Sequence, residues 1–154
     1  MSLTAAESKK LQPLLEKKGR SAQRRFLAEG VRLREEAARF SFAPSIVYYS
    51  PAIIGERAQQ VIAQFRLQGV TCEELPARQI EQLADTRTPQ GVVSVFNTPA
   101  ADLAQLYTRR QRTILMCDNV ADPGNLGTLL RSPLAFDFRL VILLGSTAEP
   151  WSPK

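Results

Sequence analysis

Polar side chains that could bind a ligand or take part in a reaction concentrate in one stretch of the chain, from Asp118 to Arg131. The run Asp122-Pro123-Gly124-Asn125 predicts a tight turn after a strand, and Asn125 can cap the following helix by accepting from its free backbone amides. Ligands bind at the carboxyl edge of parallel sheets, where such a turn would lie. If the helix starts at residue 126, Arg131 lies within two turns of its start and can face the same crevice as Asn125. The same residue types also fit a plain turn, a helix cap and a solvent-facing arginine.

Several other chemistries are excluded by composition. The 154 residues contain no histidine, which rules out histidine-based triads, histidine-ligated zinc and histidine general bases. The two cysteines, Cys72 and Cys117, lie in apolar strand-like segments, where reduced buried thiols are expected. We therefore expect neither a metal site nor a catalytic thiol.

The net charge of +5 is distributed unevenly. Residues 1–40 carry ten basic and five acidic side chains, whereas residues 41–154 carry ten of each. The basic residues that could neutralise phosphates in this segment are Lys17, Lys18, Arg20, Arg24 and Arg25. A polyanion is the expected partner, although a solvated basic helix face would have the same composition.

Strand-like and helix-like patterns alternate along the chain. Helical spacing over 3–17 is limited by Pro13. After it, strands are predicted at 25–28, 46–49, 70–74 and 92–96, with helices at 30–40, 52–68 and 76–84 between them. This alternation implies βαβ units. We therefore predict one α/β domain over residues 1–97.

A second unit follows a turn-rich linker at 98–111. It comprises a strand at 113–117, a helix from about 125 and a strand at 140–144, which is again a βαβ pattern. The apolar content of 44% is that of an ordinary globular protein, and no apolar run reaches the roughly 18 to 20 residues of a membrane span. No signal-peptide pattern opens the chain, and we expect a cytoplasmic protein without membrane contact.

The stretch from Asp118 to Arg131 resembles the first signature motif of the SpoU/TrmH-type RNA ribose 2′-O-methyltransferases, which belong to the knotted SPOUT class. Phe26–Gly30, Asp85–Gly91 and the segments 143–146 and 150–154 are similar to the family in order and spacing. The resemblance implies a ribosomal-protein-like α/β domain that binds the RNA substrate over 1–97. It also implies that residues 112–154 are the first part of a knotted SPOUT methyltransferase domain.

The resemblance further implies transfer of a methyl group from S-adenosylmethionine to a ribose 2′-hydroxyl of rRNA or tRNA. The positions that match catalytic residues of the family are Asn125, which would orient the motif loop and the nucleotide, and Arg131. Arg131 would hold the adjacent phosphate and stabilise the developing alkoxide, since its high pKa disfavours a role as base. Arg87 could contact RNA or stabilise its own loop. Glu29 is expected to be structural, at the positive end of a helix.

The chain departs from the family pattern in its motif helix and in its length. Pro133 replaces a small helix former, so we expect the helix to kink or end near Ser132, and Asp137 replaces a glycine after the helix. The sequence ends before two later motifs that grip the cofactor and build the family's homodimer. We therefore expect no cofactor-binding residues in this chain, no activity from it alone, and doubtful dimerisation. The alternative is a non-catalytic RNA-binding module derived from the same family.

Overall fold

The computed structural model describes residues 2–84, 89–100, 113–135 and 140–152, which fall into two compact units. The first unit contains Met1–Thr98 and Trp151–Pro153, and the second contains Pro99–Pro150. The sequence-based division assigned Trp151 to the second domain, but its ring packs on Phe26 of the first unit, with ring centroids 4.9 Å apart. Within the described residues, no helix is both long enough and apolar enough to cross a membrane.

The amino-terminal region consists of α1 (Ala5–Leu11), a 3₁₀ helix (Gln12–Leu15) and α2 (Lys17–Gln23). Pro13 interrupts the helix as its missing N–H predicts, and it lies in the first turn of the 3₁₀ helix, where no donor is needed. The α2 helix folds back closely on this segment: a Cβ built at Gly19 would lie 1.9 Å from the Pro13 carbonyl oxygen. Gly19 therefore allows α2 to pack closely against Pro13, because a larger residue would overlap the Pro13 backbone.

A mixed four-stranded sheet forms the centre of the first unit. Its strands are β1 (Arg25–Glu29), β2 (Ile46–Tyr49), β3 (Thr71–Glu74) and β4 (Val92–Asn97), in the order β1-β4-β2-β3. The predicted βαβ arrangement holds for β2 and β3, which are parallel neighbours. The βαβ pattern does not describe the rest of the sheet, because β4 lies between β1 and β2 and is antiparallel to both. Residues 92–96 are all buried, which fits a central strand covered on both faces.

Helices α3 (Val31–Arg39), α4 (Glu56–Leu67) and α5 (Ala77–Leu83) connect these strands, as predicted. One core contains Leu14, Leu27, Ile80, Val93 and Val95. A second core contains Val47, Val61, Ile62, Phe65 and Val92. Each aliphatic side chain of this kind contributes about 1.5–3 kcal/mol through burial, so the two cores hold the sheet and its loops in place.

The second unit contains β5 (Ile114–Asp118), α6 (Pro123–Ala135) and β6 (Leu140–Leu144), and its strands are parallel, as the βαβ prediction requires. Of the two effects expected of Pro133, an end of the helix near Ser132 is wrong, because α6 continues through Pro133 to Ala135, and a kink there stays a prediction. Proline removes one backbone donor, and the residues after it still carry N–H groups that can bond within the helix. Asp137 lies outside the described residues.

Candidate functional site

Two segments that carry the family resemblance meet at one edge of the first unit. The end of β1 with Gly30 lies beside the residues that open β4. The Gln90 side-chain oxygen accepts a hydrogen bond from the Val31 N–H at 2.9 Å, and the Gln90 N–H donates to the Glu29 carboxylate at 3.4 Å. Residues 60 positions apart in the chain thus form one rim at the carboxyl edge of the parallel strands, the usual location of ligand sites in α/β folds.

Arg34 holds this rim from inside the protein. It is 1% exposed, and its guanidinium donates to the carbonyl oxygens of Gly30 (2.6 Å), Ala28 (2.9 Å) and Val92 (2.6 Å) and to the Ser94 hydroxyl (2.6 Å). Burial lowers the pKa of Arg34 to about 9, and the nearby Glu29 carboxylate opposes that shift. At neutral pH the group is therefore still charged and donates to both β1 and β4.

From charge alone, Arg34 is one of the ten basic residues of 1–40, and its structural role is not predicted. A signal was available: Val31, Arg34 and Ala38 follow the i, i+3, i+7 spacing of one helix face, and the other two residues are apolar. An arginine on an apolar helix face must satisfy its donors inside the protein.

Four of the basic residues predicted to bind RNA are accessible. Lys17 and Lys18 are exposed in the first turn of α2. Arg24 is exposed just after that helix, where its backbone adopts a left-handed conformation with φ of 50°. Arg25 is half-buried and donates to the Ser45 hydroxyl at 3.2 Å. The structure leaves these four positive groups at or near the surface of the first unit.

Arg20 is not part of that surface, and its assignment to RNA binding is corrected. Its side chain is 5% exposed, and one guanidinium nitrogen donates to the carbonyl oxygens of Leu14 (3.0 Å) and Leu15 (2.8 Å). These carbonyls end the 3₁₀ helix, where the last acceptors have no partner within the helix. Arg20 therefore stabilises the amino-terminal fold. Arg87, the remaining predicted RNA contact, lies outside the described residues.

Asp122, rather than Asn125, caps the helix of the signature motif. The Asn125 N–H donates to the Asp122 carboxylate at 2.7 Å, and the Leu126 N–H donates to the Asp122 carbonyl at 3.0 Å. The helix begins at Pro123, a residue favoured at the first helical position because it needs no donor there. Asn125 thus lies inside the first turn, and its exposed side chain is not used as the cap.

Arg131 is exposed on the same helix, and its guanidinium reaches back one turn. One of its nitrogens lies 3.9 Å from a Cβ built at Gly127. Helical side chains lean toward the helix start, so this direction is expected. Arg131 follows Asn125 by six positions, which places the two residues about 120° apart around the helix axis. Among the described residues, the structure brings neither side chain into contact with the other.

The loops after β5 and β6 are tied to each other. The Asn119 side-chain oxygen accepts from the Ser146 N–H at 2.9 Å, and the Val120 N–H donates to the Thr147 hydroxyl at 3.3 Å. That hydroxyl donates to the Leu144 carbonyl at 2.6 Å. These hydrogen bonds hold the two loops together at the carboxyl ends of β5 and β6.

A protein-family model, the MRM3-like substrate-binding domain, matches residues 6–94 of the chain. The chain belongs to this family. The match includes the whole rim formed by Glu29, Gly30 and Gln90 and all four strands of the first sheet up to Ser94.

Relatives and solved structures extend the similarity beyond the MRM3-like domain. The chain is 31% identical over 149 residues to human mitochondrial rRNA methyltransferase 3 and 32% identical over 141 residues to the 23S rRNA guanosine 2′-O-methyltransferase RlmP of Bacillus subtilis. Among solved structures, it resembles the SpoU methyltransferase AviRb of Streptomyces viridochromogenes in complex with AdoMet, with a TM-score of 0.78 and 25% identity. The SpoU/TrmH-type resemblance and the expected fold class are confirmed.

The alignments include nearly all of this chain but only part of each relative. They cover 94% of the chain and 33% of the human protein, 90% of the chain and 51% of the Bacillus protein, and 98% of the chain and 57% of AviRb. The chain therefore spans about a third to somewhat more than half of these MRM3-like and SpoU-type proteins.

Proposed function

We propose that this chain supplies the RNA-binding domain and the first catalytic segment of an rRNA ribose 2′-O-methyltransferase. The observation that carries the proposal is the family match over residues 6–94, within which the Phe26–Gly30 segment meets Gln90. The names of the human and Bacillus relatives support rRNA as the substrate class. In this proposal residues 1–97 bind RNA, 98–111 link the domains, and 112–154 begin the methyltransferase domain.

Positive side chains of the first unit would hold the RNA backbone. The proposed phosphate contacts are the exposed or half-buried Lys17, Lys18, Arg24 and Arg25, together with Arg87. Such contacts release counterions from RNA, so they give affinity that falls steeply as salt rises. Arg20 is left out because its donors are used inside the protein.

Asn125 and Arg131 are the proposed catalytic residues. Arg131 would hold the phosphate next to the target ribose and stabilise the alkoxide that develops at the 2′-oxygen, and Asn125 would orient the nucleotide. Both side chains are exposed on α6, Asn125 in its first turn and Arg131 about two turns further along, where a substrate can reach them. The Arg131 guanidinium would act here by its charge rather than by removing a proton.

S-adenosylmethionine is the proposed methyl donor, and the AdoMet complex of AviRb supports it. We expect the chain by itself neither to bind it nor to methylate RNA. Isothermal titration calorimetry of the chain with S-adenosylmethionine tests this, and micromolar affinity would contradict it. A homodimeric enzyme and a cytoplasmic location also remain our predictions.

An RNA-binding experiment tests the role of the basic residues. We expect the Lys17→Gln, Lys18→Gln double variant to weaken binding to an rRNA fragment and to reduce the slope of log Kd against log salt by about one per lost contact. Fluorescence anisotropy over a salt series measures both. Arg78→Gln, which removes an exposed charge from α5, is the control. Equal losses in the control and the double variant would contradict the assignment.

Salt-dependent RNA binding without methyl transfer, even when the chain is mixed with a full-length relative, would favour the alternative of a non-catalytic RNA-binding module. In the same mixture, incorporation of labelled methyl groups into rRNA above the level that the relative gives alone, lost in Arg131→Met but retained in Arg78→Gln, would favour the enzyme. The methyltransferase and the non-catalytic module therefore differ in one measurable product, the labelled methyl group in rRNA.

A further inference from the structure

A stack of aromatic rings runs through the first unit and ends at its surface. The rings of Phe26 and Phe96 are stacked with centroids 5.5 Å apart, and Phe96 and Phe42 are stacked at 5.3 Å with planes only 8° apart. Phe26 and Phe96 are buried, whereas Phe42 is 38% exposed. Phe42 is therefore the outer ring of the stack, the position where a further flat ring would add.

Phe42 belongs to a surface loop that also carries Phe40. This segment, residues 40–45, joins α3 to β2 and is called here the aromatic loop. Phe40 is 69% exposed. Single exposed apolar residues need no explanation, but here two phenyl rings are exposed to water within three positions of one loop.

Guanidinium groups flank both ends of the aromatic loop. The Arg39 guanidinium lies 6.0 Å from the centre of the Phe40 ring, and Arg25 donates to Ser45 at the other end. Glu36 lies 4.0 Å from Arg39, and both side chains are largely exposed, so this pair neutralises the arginine only weakly. The loop thus combines flat apolar rings with positive charge.

This combination selects one class of partner. A duplex offers phosphates to the arginines but keeps its bases stacked inside, and an apolar protein surface would leave the arginines without a partner. An unpaired RNA segment offers both a flat base and a phosphate. We propose that the aromatic loop is a stacking platform for an unpaired base of the RNA substrate, with Phe42 under the base and Arg25 and Arg39 near its phosphates. The proposal rests on RNA binding by this domain and adds single-stranded RNA as the recognised form.

Binding of a short mixed-sequence RNA, single-stranded or annealed to its complement, tests the platform by fluorescence anisotropy at fixed salt. We expect Phe42→Leu, which keeps the apolar packing but loses the ring, to weaken single-strand affinity about tenfold and leave duplex affinity unchanged. Phe42→Trp should retain affinity. Leu67→Ala, which truncates an apolar side chain that is 91% exposed on α4, should have no effect.

Several results would overturn the inference. Wild-type single-strand affinity in Phe42→Leu, alongside weakened binding in the Lys17→Gln, Lys18→Gln variant, would remove the platform and keep the proposed RNA-binding function. Absence of binding to either RNA by the unaltered chain would remove both. Unchanged RNA affinity together with lost self-association of Phe42→Leu in sedimentation would make the loop a protein contact. Circular dichroism of each variant confirms that the fold is retained.

Discussion

At the scale of residues, arginines of one sequence segment have different physical roles. Arg20 and Arg34 are buried and bond to backbone carbonyls, whereas Arg24 is exposed and Arg39 lies against a phenyl ring. Charge counting treats them alike, because composition reports the number of positive groups and not where their donors point. Of the ten basic residues in 1–40, the two buried ones cannot contribute to an RNA surface.

The network around Arg34 gives a stability prediction. Arg34→Met should lower the free energy of unfolding by about 3 kcal/mol or more, because it removes the guanidinium donor from the carbonyls of Gly30, Ala28 and Val92, two of these bonds being buried. Arg32→Met, on the exposed side of the same helix, should change it by less than about 0.5 kcal/mol. Urea denaturation measures both variants. Similar losses would show that Arg34 does not hold the rim.

Tyr48 gives a prediction at alkaline pH. Burial raises the pKa of Tyr48 from 10 to about 12, with a further contribution from the Glu73 carboxylate. Because the folded chain keeps this proton longer than the unfolded chain, the stabilisation is complete below pH 10 and is lost as the pH rises through about 12. Between about pH 9 and 11, the unaltered chain should lose about 1 kcal/mol more than Tyr48→Phe. Chemical denaturation over this pH range measures the free energy of unfolding of both proteins. The prediction is contradicted if that free energy falls equally with pH in the two.

The cap of the motif helix shows why site prediction from sequence stopped short. Both Asp122 and Asn125 are good capping residues, and the sequence analysis chose Asn125. Pro123 decides between them, since proline is favoured as the first helical residue and then places Asp122 at the cap. The sequence shows which residue types the motif contains. Whether Asn125 lies inside the helix, and so at a fixed angle to Arg131, depends on where the helix starts.

At the scale of elements, the positions of the strands and of the helices between them were predictable, whereas α2 and the order of the strands were not. Periodicity found the six strands of the described residues, because alternation and apolar runs are local. The place of β4 between β1 and β2 depends on pairing between distant segments, and no local pattern encodes it. The closeness of Gln90 to Glu29 follows from that pairing.

Gly91 fixes how the loop after β2 lies over the start of β4. Its φ is +76°, and a Cβ there would lie 2.8 Å from the Ile53 side chain and 2.9 Å from the Ile54 backbone nitrogen. Gly69 has a similar φ of +80° but open space around it. Gly69→Ala should therefore lower the free energy of unfolding by about 1 kcal/mol from backbone strain alone. Gly91→Ala should lower it by about 1–3 kcal/mol more, because the added methyl group also overlaps Ile53 and Ile54. Urea denaturation of the pair separates the two causes, and equal effects would contradict the packing argument.

At the scale of the whole molecule, the two units differ in how well they bury apolar surface. The first unit has a four-stranded sheet with cores of buried aliphatic residues. In the second, Ile114, Met116, Leu129 and Leu144 are exposed, although their strands and helix are apolar. RNA affinity is therefore expected to reside in the first unit, which can fold around its own cores.

The central claim is that the first unit binds RNA through its basic surface and aromatic loop. Ultraviolet crosslinking of the chain to an rRNA fragment, followed by mass spectrometry of the attached peptides, tests it most directly. We predict crosslinks within residues 17–45, reduced by the Lys17→Gln, Lys18→Gln variant and by Phe42→Leu. Crosslinks confined to α4 and α5, or none at all, would contradict the account.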